Sequence, residues 1–199
     1  MPMPESGSFT VCVYCASSSK VDDCFKSAAR ELGRLLAQAG MSVVFGAGRC
    51  GLMGELACGA TECGGRTIGV IPQFMYDEGW GNDTLSRLEI TSSMHERKSR
   101  MLQLADAVVA LPGGCGTMEE LLEAITWKQL GLFDKPIVIL NTGGYYDDIL
   151  RMLSRAVSEK FMRDEHRDMW RVAASPSDAV SLVRSIPAWR SDARKIAAI

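Results

Sequence analysis

Histidine is nearly absent from this chain. His95 and His166 are the only two in 199 residues, too isolated to anchor a metal site of the usual spacing. No apolar run approaches the roughly 20 residues that span a bilayer, so no membrane partner is expected. The opening "MPMPESGS" lacks the hydrophobic stretch of a secretory signal. No block of lysine and arginine stands out, and the formal net charge is -2. An electrostatic footprint for nucleic acid or an anionic membrane surface is therefore excluded. No repeat, linker or low-complexity segment divides the chain. Seven cysteines, an odd number, argue against a fully paired disulfide framework. A reducing cytoplasm is the expected location.

What is present reads as an ordinary soluble domain, with 47% hydrophobic and 23% charged residues. The length suits one domain with a substantial core. That domain is expected over 9–185, between a polar N-terminal tail at 1–8 and a C-terminal tail at 186–199. Short apolar, β-branched runs at 9–16, 41–45, 67–72, 107–112 and 135–140 predict strands. Between them, helical periodicity predicts helices over 22–39, from the turn after Phe45 to about Cys63, over 94–105, over 117–130, and from Tyr145 to about Glu159. Residues 73–87 read as irregular and 87–91 as extended. A short strand near 170–173 and a helix over 177–183 complete the pattern. Such alternation means parallel β-α-β units: an α/β fold with one doubly wound, mainly parallel sheet and helices on both faces. Cys12 and Cys15 form a CxxC on the first strand. Their odd separation sends the side chains to opposite faces, so both are expected to be buried hydrophobes and not a redox or zinc pair.

Ligands of such sheets bind beyond the carboxyl ends of the strands, which draws attention to two glycine turns. In "FGAGRCGLMG" (45–54), Gly46, Gly48 and Gly51 match GxGxxG. The acidic residue that would hold a ribose diol is missing from the end of the next strand, "VIPQF". Close packing of strand, turn and helix is the favoured account, with the turn as one wall of a nucleotide pocket as the alternative. In "LPGGCGTMEE" (111–120), Gly113, Gly114 and Gly116 bare the backbone before a helix. Free N–H groups and the positive end of the helix dipole together make an anion site. The GK[ST] ending of a triphosphate loop is missing, so a monophosphate fits better. Glu120 has two readings here: a catalytic carboxylate, or the last member of a capping box begun by Thr117.

"SSMHERKSRM" (92–101) places His95, Arg97, Lys98 and Arg100 at a helix start, where basic residues are poorly tolerated. One account is a solvated face with a Glu96–Arg100 pair. The other turns Arg97 and Lys98 into the cleft to meet an anion, a role suited to a planar guanidinium.

Taken together, "MHERK" (94–98) and "PGGCGTMEE" (112–120) resemble the paired motifs of the LOG ("Lonely Guy") family of cytokinin riboside 5'-monophosphate phosphoribohydrolases, also labelled lysine decarboxylases. The pattern PGGxGTxxE is met at Pro112, Gly113, Gly114, Gly116, Thr117 and Glu120. "VYCASSS", "GLMG" and "GGRTIGVIP" follow the family in the right order. The resemblance covers roughly residues 9–185. It implies a Rossmann-like fold and a homodimer with the active site near the subunit interface. The implied reaction is hydrolysis of the N-glycosidic bond of an adenosine 5'-monophosphate, N6-modified or plain, with no cofactor and no metal. The implied catalytic pair is Arg97 and Glu120. Gly114, Gly116 and Thr117 match the phosphate contacts; Met94, Lys98, Gly113 and Cys115, with Ser17 and Ser18 at the end of the first strand, complete the expected substrate-binding set. Cys115 stands where the family often has tyrosine. The alternative is a non-catalytic nucleotide or molybdenum-cofactor carrier, or a sensor, of the same fold; such a protein has no need of both Arg97 and Glu120. A decarboxylase would need a lysine set for a Schiff base with pyridoxal phosphate, and no lysine has that setting in the sequence.

Overall fold

Seven parallel strands form the sheet in the order β4-β3-β2-β1-β5-β6-β7. They are β1 (Thr10–Tyr14), β2 (Ser42–Phe45), β3 (Thr67–Pro72), β4 (Arg87–Thr91), β5 (Ala107–Ala110), β6 (Ile137–Leu140) and β7 (Arg171–Ala173). The computed structural model describes residues 8–197, so the expected tail at 1–8 lies, apart from Ser8, outside the described residues. The chain winds outward from β1 to β4, then returns to the other side of β1 and winds outward again. The connections thus part between β1 and β5, the switch point over which such sheets bind ligands.

Each face carries its own core. Val11, Val13 and Cys15 point to the side covered by α1 (Asp23–Gln38), α2 (Gly51–Glu62) and α7 (Pro176–Ser185). Cys12 and Tyr14 point to the side covered by α4 (Met94–Gln103), α5 (Cys115–Gln129) and α6 (Asp147–Ser158). The strand period of two therefore separates Cys12 from Cys15, as expected, and both are free and buried. Burial pushes both thiols well above their ordinary range. Gly40, at φ +71°, ends α1 in the left-handed conformation that glycine tolerates.

Four local expectations change. Residues 73–87 are not wholly irregular: α3 (Gln73–Asp77) follows β3 directly, with Pro72 at its N-cap. Five residues are too few to show a helical period. Helix α5 begins at Cys115, not Thr117, with Gly114 at its N-cap; Gly116 in the first turn hides the start, because glycine disfavours helix. Helix α6 begins at Asp147. The segment expected as a C-terminal tail carries α8 (Ala193–Ile196), with Ala193 buried and Gln129 Nε2 donating to the Ala197 carbonyl. Among the described residues, no helix is long and apolar enough to cross a membrane.

Candidate active site

The turns after β1, β2 and β5 are joined side by side at the switch point. The N–H of Ala16 donates to the Pro112 carbonyl at 3.3 Å, and the N–H of Met53 donates to the Ala16 carbonyl at 3.2 Å. Gly51, at φ +60°, packs on the first turn, where a Cβ would lie 2.5 Å from the Ser18 carbonyl oxygen. These contacts leave a cavity of about 560 Å³ between the turns.

Arg97 and Glu120 meet at its floor. Arg97 Nη1 lies 3.2 Å from Glu120 Oε1, and the two residues are 5% and 6% exposed. Arg97 also donates from Nε to the Val70 carbonyl at 3.2 Å and from Nη2 to the Gly46 carbonyl at 3.5 Å. Burial raises the Glu120 carboxyl above its ordinary value; Arg97 opposes this, the neighbouring Glu119 and Glu123 add to it, and Lys98 opposes. Desolvation thus outweighs the ion pair. The result is a carboxylate held over a cavity and inclined to take a proton.

The helix start also corrects the capping-box account. Thr117 lies inside α5, and the Glu120 side chain points to Arg97, not back to the backbone. A capping interaction does form, at α4. The Ser93 hydroxyl oxygen accepts from the Glu96 N–H at 3.2 Å, and the Glu96 carboxylate accepts from the Ser92 N–H at 2.7 Å. That occupies Glu96. Arg100 accordingly pairs with Glu89 on β4 at 2.7 Å, replacing the expected Glu96–Arg100 pair.

Of the other expected residues, Ser17, Ser18, Gly114, Gly116 and Thr117 line the cavity with the Arg97–Glu120 pair. A Cβ at Gly114 or Gly116 would meet nothing within 4 Å, so their backbone opens onto free space. Gly113 has a different part: its missing side chain makes room for Thr117, whose Oγ1 would lie 2.1 Å from a Cβ there. Its carbonyl accepts from the Tyr145 hydroxyl at 2.7 Å, as that of Leu111 does from Tyr146 at 2.6 Å. The lining does not include Met94, Lys98, Gly113 or Cys115. Lys98 is buried against two carboxylates of α5, Glu119 and Glu123, and ties α4 to α5. Met94 and Cys115 are exposed.

Sequence reasoning left several lining residues unmarked. Arg49 and Cys50 come from the β2 turn, whose role as a wall was the alternative reading. Met53, Ile71, Met75 and Trp80 make the apolar side. The segment carrying Trp80 is held to that turn by a Gly48–Gly81 bridge and by the Asn82 N–H on the Ala47 carbonyl at 2.9 Å. These apolar residues carry no motif; the signal was the unexplained gap between β3 and β4. Among the described residues, no lysine lines the cavity.

A parallel sheet, a bare helix start at its switch point and a buried Arg–Glu pair beside it define a Rossmann-like α/β protein with a cavity at the switch point. Comparison with known proteins narrows this class. A family model described as "Possible lysine decarboxylase" matches residues 53–183. A probable cytokinin riboside 5'-monophosphate phosphoribohydrolase of Oryza sativa subsp. japonica is 43% identical over 88% of this chain and 76% of its own. The cytokinin riboside 5'-monophosphate phosphoribohydrolase LOG5 of Arabidopsis thaliana is 38% identical over 90% of this chain and 78% of its own. The chain belongs to this LOG family. Among solved structures, the molybdenum cofactor carrier protein of Chlamydomonas reinhardtii superposes with a TM-score of 0.70 at 24% identity, over 89% of this chain and 97% of that one. At that identity the likeness concerns the fold alone.

Proposed function

We propose that this protein hydrolyses the N-glycosidic bond of an adenosine 5'-monophosphate, plain or N6-modified, releasing the free base and ribose 5-phosphate. The observation that carries the reading is the buried Arg97–Glu120 pair, 3.2 Å apart, facing the cavity that α5 opens onto. The 5'-phosphate lies on the bare backbone of Gly114 and Gly116 and on Thr117, where the helix dipole and free N–H groups favour an anion. Holding the phosphate fixes the sugar, so binding energy remote from the reacting bond becomes orientation at it. Cleavage of the bond between the base nitrogen and the anomeric carbon builds positive charge on the ribose. The Glu120 carboxylate stabilises that charge and accepts the proton of the attacking water. The water oxygen bonds to the anomeric carbon, and the bonding electrons leave with the purine nitrogen. The base takes up one proton from solvent as Glu120 gives its proton back to solvent, so the water's two hydrogens are accounted for. Arg97 cannot act as an acid near neutral pH; it holds Glu120 in place and keeps a counter-charge beside it.

The family's other label, lysine decarboxylase, asks for a Schiff-base lysine. Lys98 is held by Glu119 and Glu123, and Lys128 is buried with its ammonium on the Lys135 carbonyl. The carrier reading rests on the fold alone. The protein is further proposed to be a cytoplasmic homodimer, which light scattering on the purified protein tests. The reaction is tested by chromatography. Protein incubated with AMP, or with the monophosphate of N6-isopentenyladenosine, is expected to release free base, and the dephosphorylated nucleosides much less. Tight binding without release would support a carrier, and equal rates for nucleoside and nucleotide would remove the phosphate cradle.

A further inference from the structure

We propose that Arg49 is the cation that engages the 5'-phosphate, a positioning residue that gives the site its preference for nucleotide over nucleoside. The inference rests on the reading above of a nucleoside monophosphate substrate. It follows from an account of charge around the cavity. A phosphate monoester carries about -1.5 to -2 near neutral pH. The start of α5 offers roughly half a positive charge, which leaves most of the anion uncompensated.

The cations expected to supply the rest are committed elsewhere. Arg97 spends its guanidinium on Glu120 and on the carbonyls of Val70 and Gly46. Lys98 is held by Glu119 and Glu123 and lies outside the lining. Among the described residues, the cations lining the cavity are Arg49 and Arg97, and the carboxylate is Glu120. Arg97 and Glu120 offset each other. Arg49 is therefore the positive charge left for a ligand.

Its placement suits the task. The backbone around Arg49 is pinned: its carbonyl packs against Gly54, where a Cβ would lie 2.5 Å away, and the Gly54 N–H donates to the Cys50 carbonyl at 3.2 Å. The same turn packs on Ser17 and Ser18 through Gly51 and is bridged to the Trp80 segment through Gly48. The Arg49 side chain itself is exposed, so it is hydrated before the ligand arrives and can swing to meet it. A planar guanidinium donates two parallel bonds to phosphate oxygens, and an ammonium cannot.

The test compares wild-type protein with Arg49→Met and Arg49→Lys, in hydrolysis of AMP and adenosine and in calorimetric titration with ribose 5-phosphate. For Arg49→Met, the KM for AMP and the Kd for ribose 5-phosphate are expected to rise roughly 10- to 100-fold, as loss of charge-assisted bonds does. The kcat for AMP falls as well, because the phosphate orients the sugar, and the preference for AMP over adenosine narrows. Arg49→Lys falls between the two, and melting temperatures are unchanged because the side chain is exposed. Wild-type KM and Kd in Arg49→Met would overturn the assignment, as would an equal loss on AMP and adenosine. The hydrolase reading fails separately. Ribose 5-phosphate bound through Arg49 by a protein that releases no base would refute hydrolysis and uphold Arg49.

Discussion

Gly46 and Arg97 occupy one space: a Cβ on Gly46 would lie 1.9 Å from Arg97 Nη2. The glycine at the end of β2 is thus a matter of room for a guanidinium, and the GxGxxG match does not need a dinucleotide to explain it. Gly46→Ala is expected to push Arg97 off Glu120, lowering AMP hydrolysis sharply and costing about 1–3 kcal/mol of stability through overpacking. Steady-state rates and thermal melts together check this. A variant that keeps both wild-type rate and melting temperature would show that Arg97 has room to spare.

Replacing Glu120 separates chemistry from structure. Glu120→Gln keeps an oxygen that can accept from Arg97 but removes the charge that faces the sugar. Turnover is expected to fall about 10²–10⁴-fold, the range for loss of a general base, with the far-ultraviolet dichroism unchanged. Persistent turnover with a lowered melting temperature would assign Glu120 to the packing of α4 on α5.

How much of this was legible in sequence depends on how local each signal is. The strands and their helices could be read because apolar runs and helical periods repeat within single elements. The separation of Cys12 from Cys15 needed only the strand period. The Arg97–Glu120 pair came through motif resemblance, since its members are 23 residues apart and no local rule joins them. Lys98 was misplaced for the reverse reason: it neighbours Arg97 in sequence, but one step along a helix turns a side chain by about 100°, and Glu119 and Glu123 took it. Tyr145 and Tyr146, which hold the carbonyls of Gly113 and Leu111, left no trace, because the contact spans more than 30 residues and carries no pattern. The true start of α5 was hidden by Gly116 in its first turn, since glycine disfavours helix.

The Glu120 carboxyl sets an expectation for pH. Burial raises it above the ordinary 4.5, and Arg97 restores only part of the difference. The reaction needs the ionised form. As pH falls, kcat/KM for AMP should decline with an inflection above 4.5, where an exposed glutamate would still be charged. The logarithm of kcat/KM against pH gives the inflection directly. A limb at or below 4.5 would mean that the reacting carboxylate is a solvated one.

Stability should respond to acid through a different residue. His166 is fully buried on the 3-10 turn Asp164–Met169, and its Nδ1 accepts the Arg163 N–H at 3.1 Å. A proton on Nδ1 would face that donor. Burial lowers the imidazole pKa below 6.5; Arg163 and Arg190 act the same way, while the Ile196 backbone and Glu165 oppose. The unfolded chain therefore takes up this proton at a higher pH than the folded one. The stability that neutral His166 contributes is complete above about 6.5 and is lost as pH falls toward the lower folded pKa. Glu120, with a raised pKa, has the opposite slope, so wild type alone does not isolate the effect. His166→Gln keeps an acceptor for Arg163 and cannot take the proton. Melting temperatures of the two proteins, followed from neutral pH downward, should converge below 6.5 as wild type loses its advantage. Parallel curves across that range would remove His166 as the source.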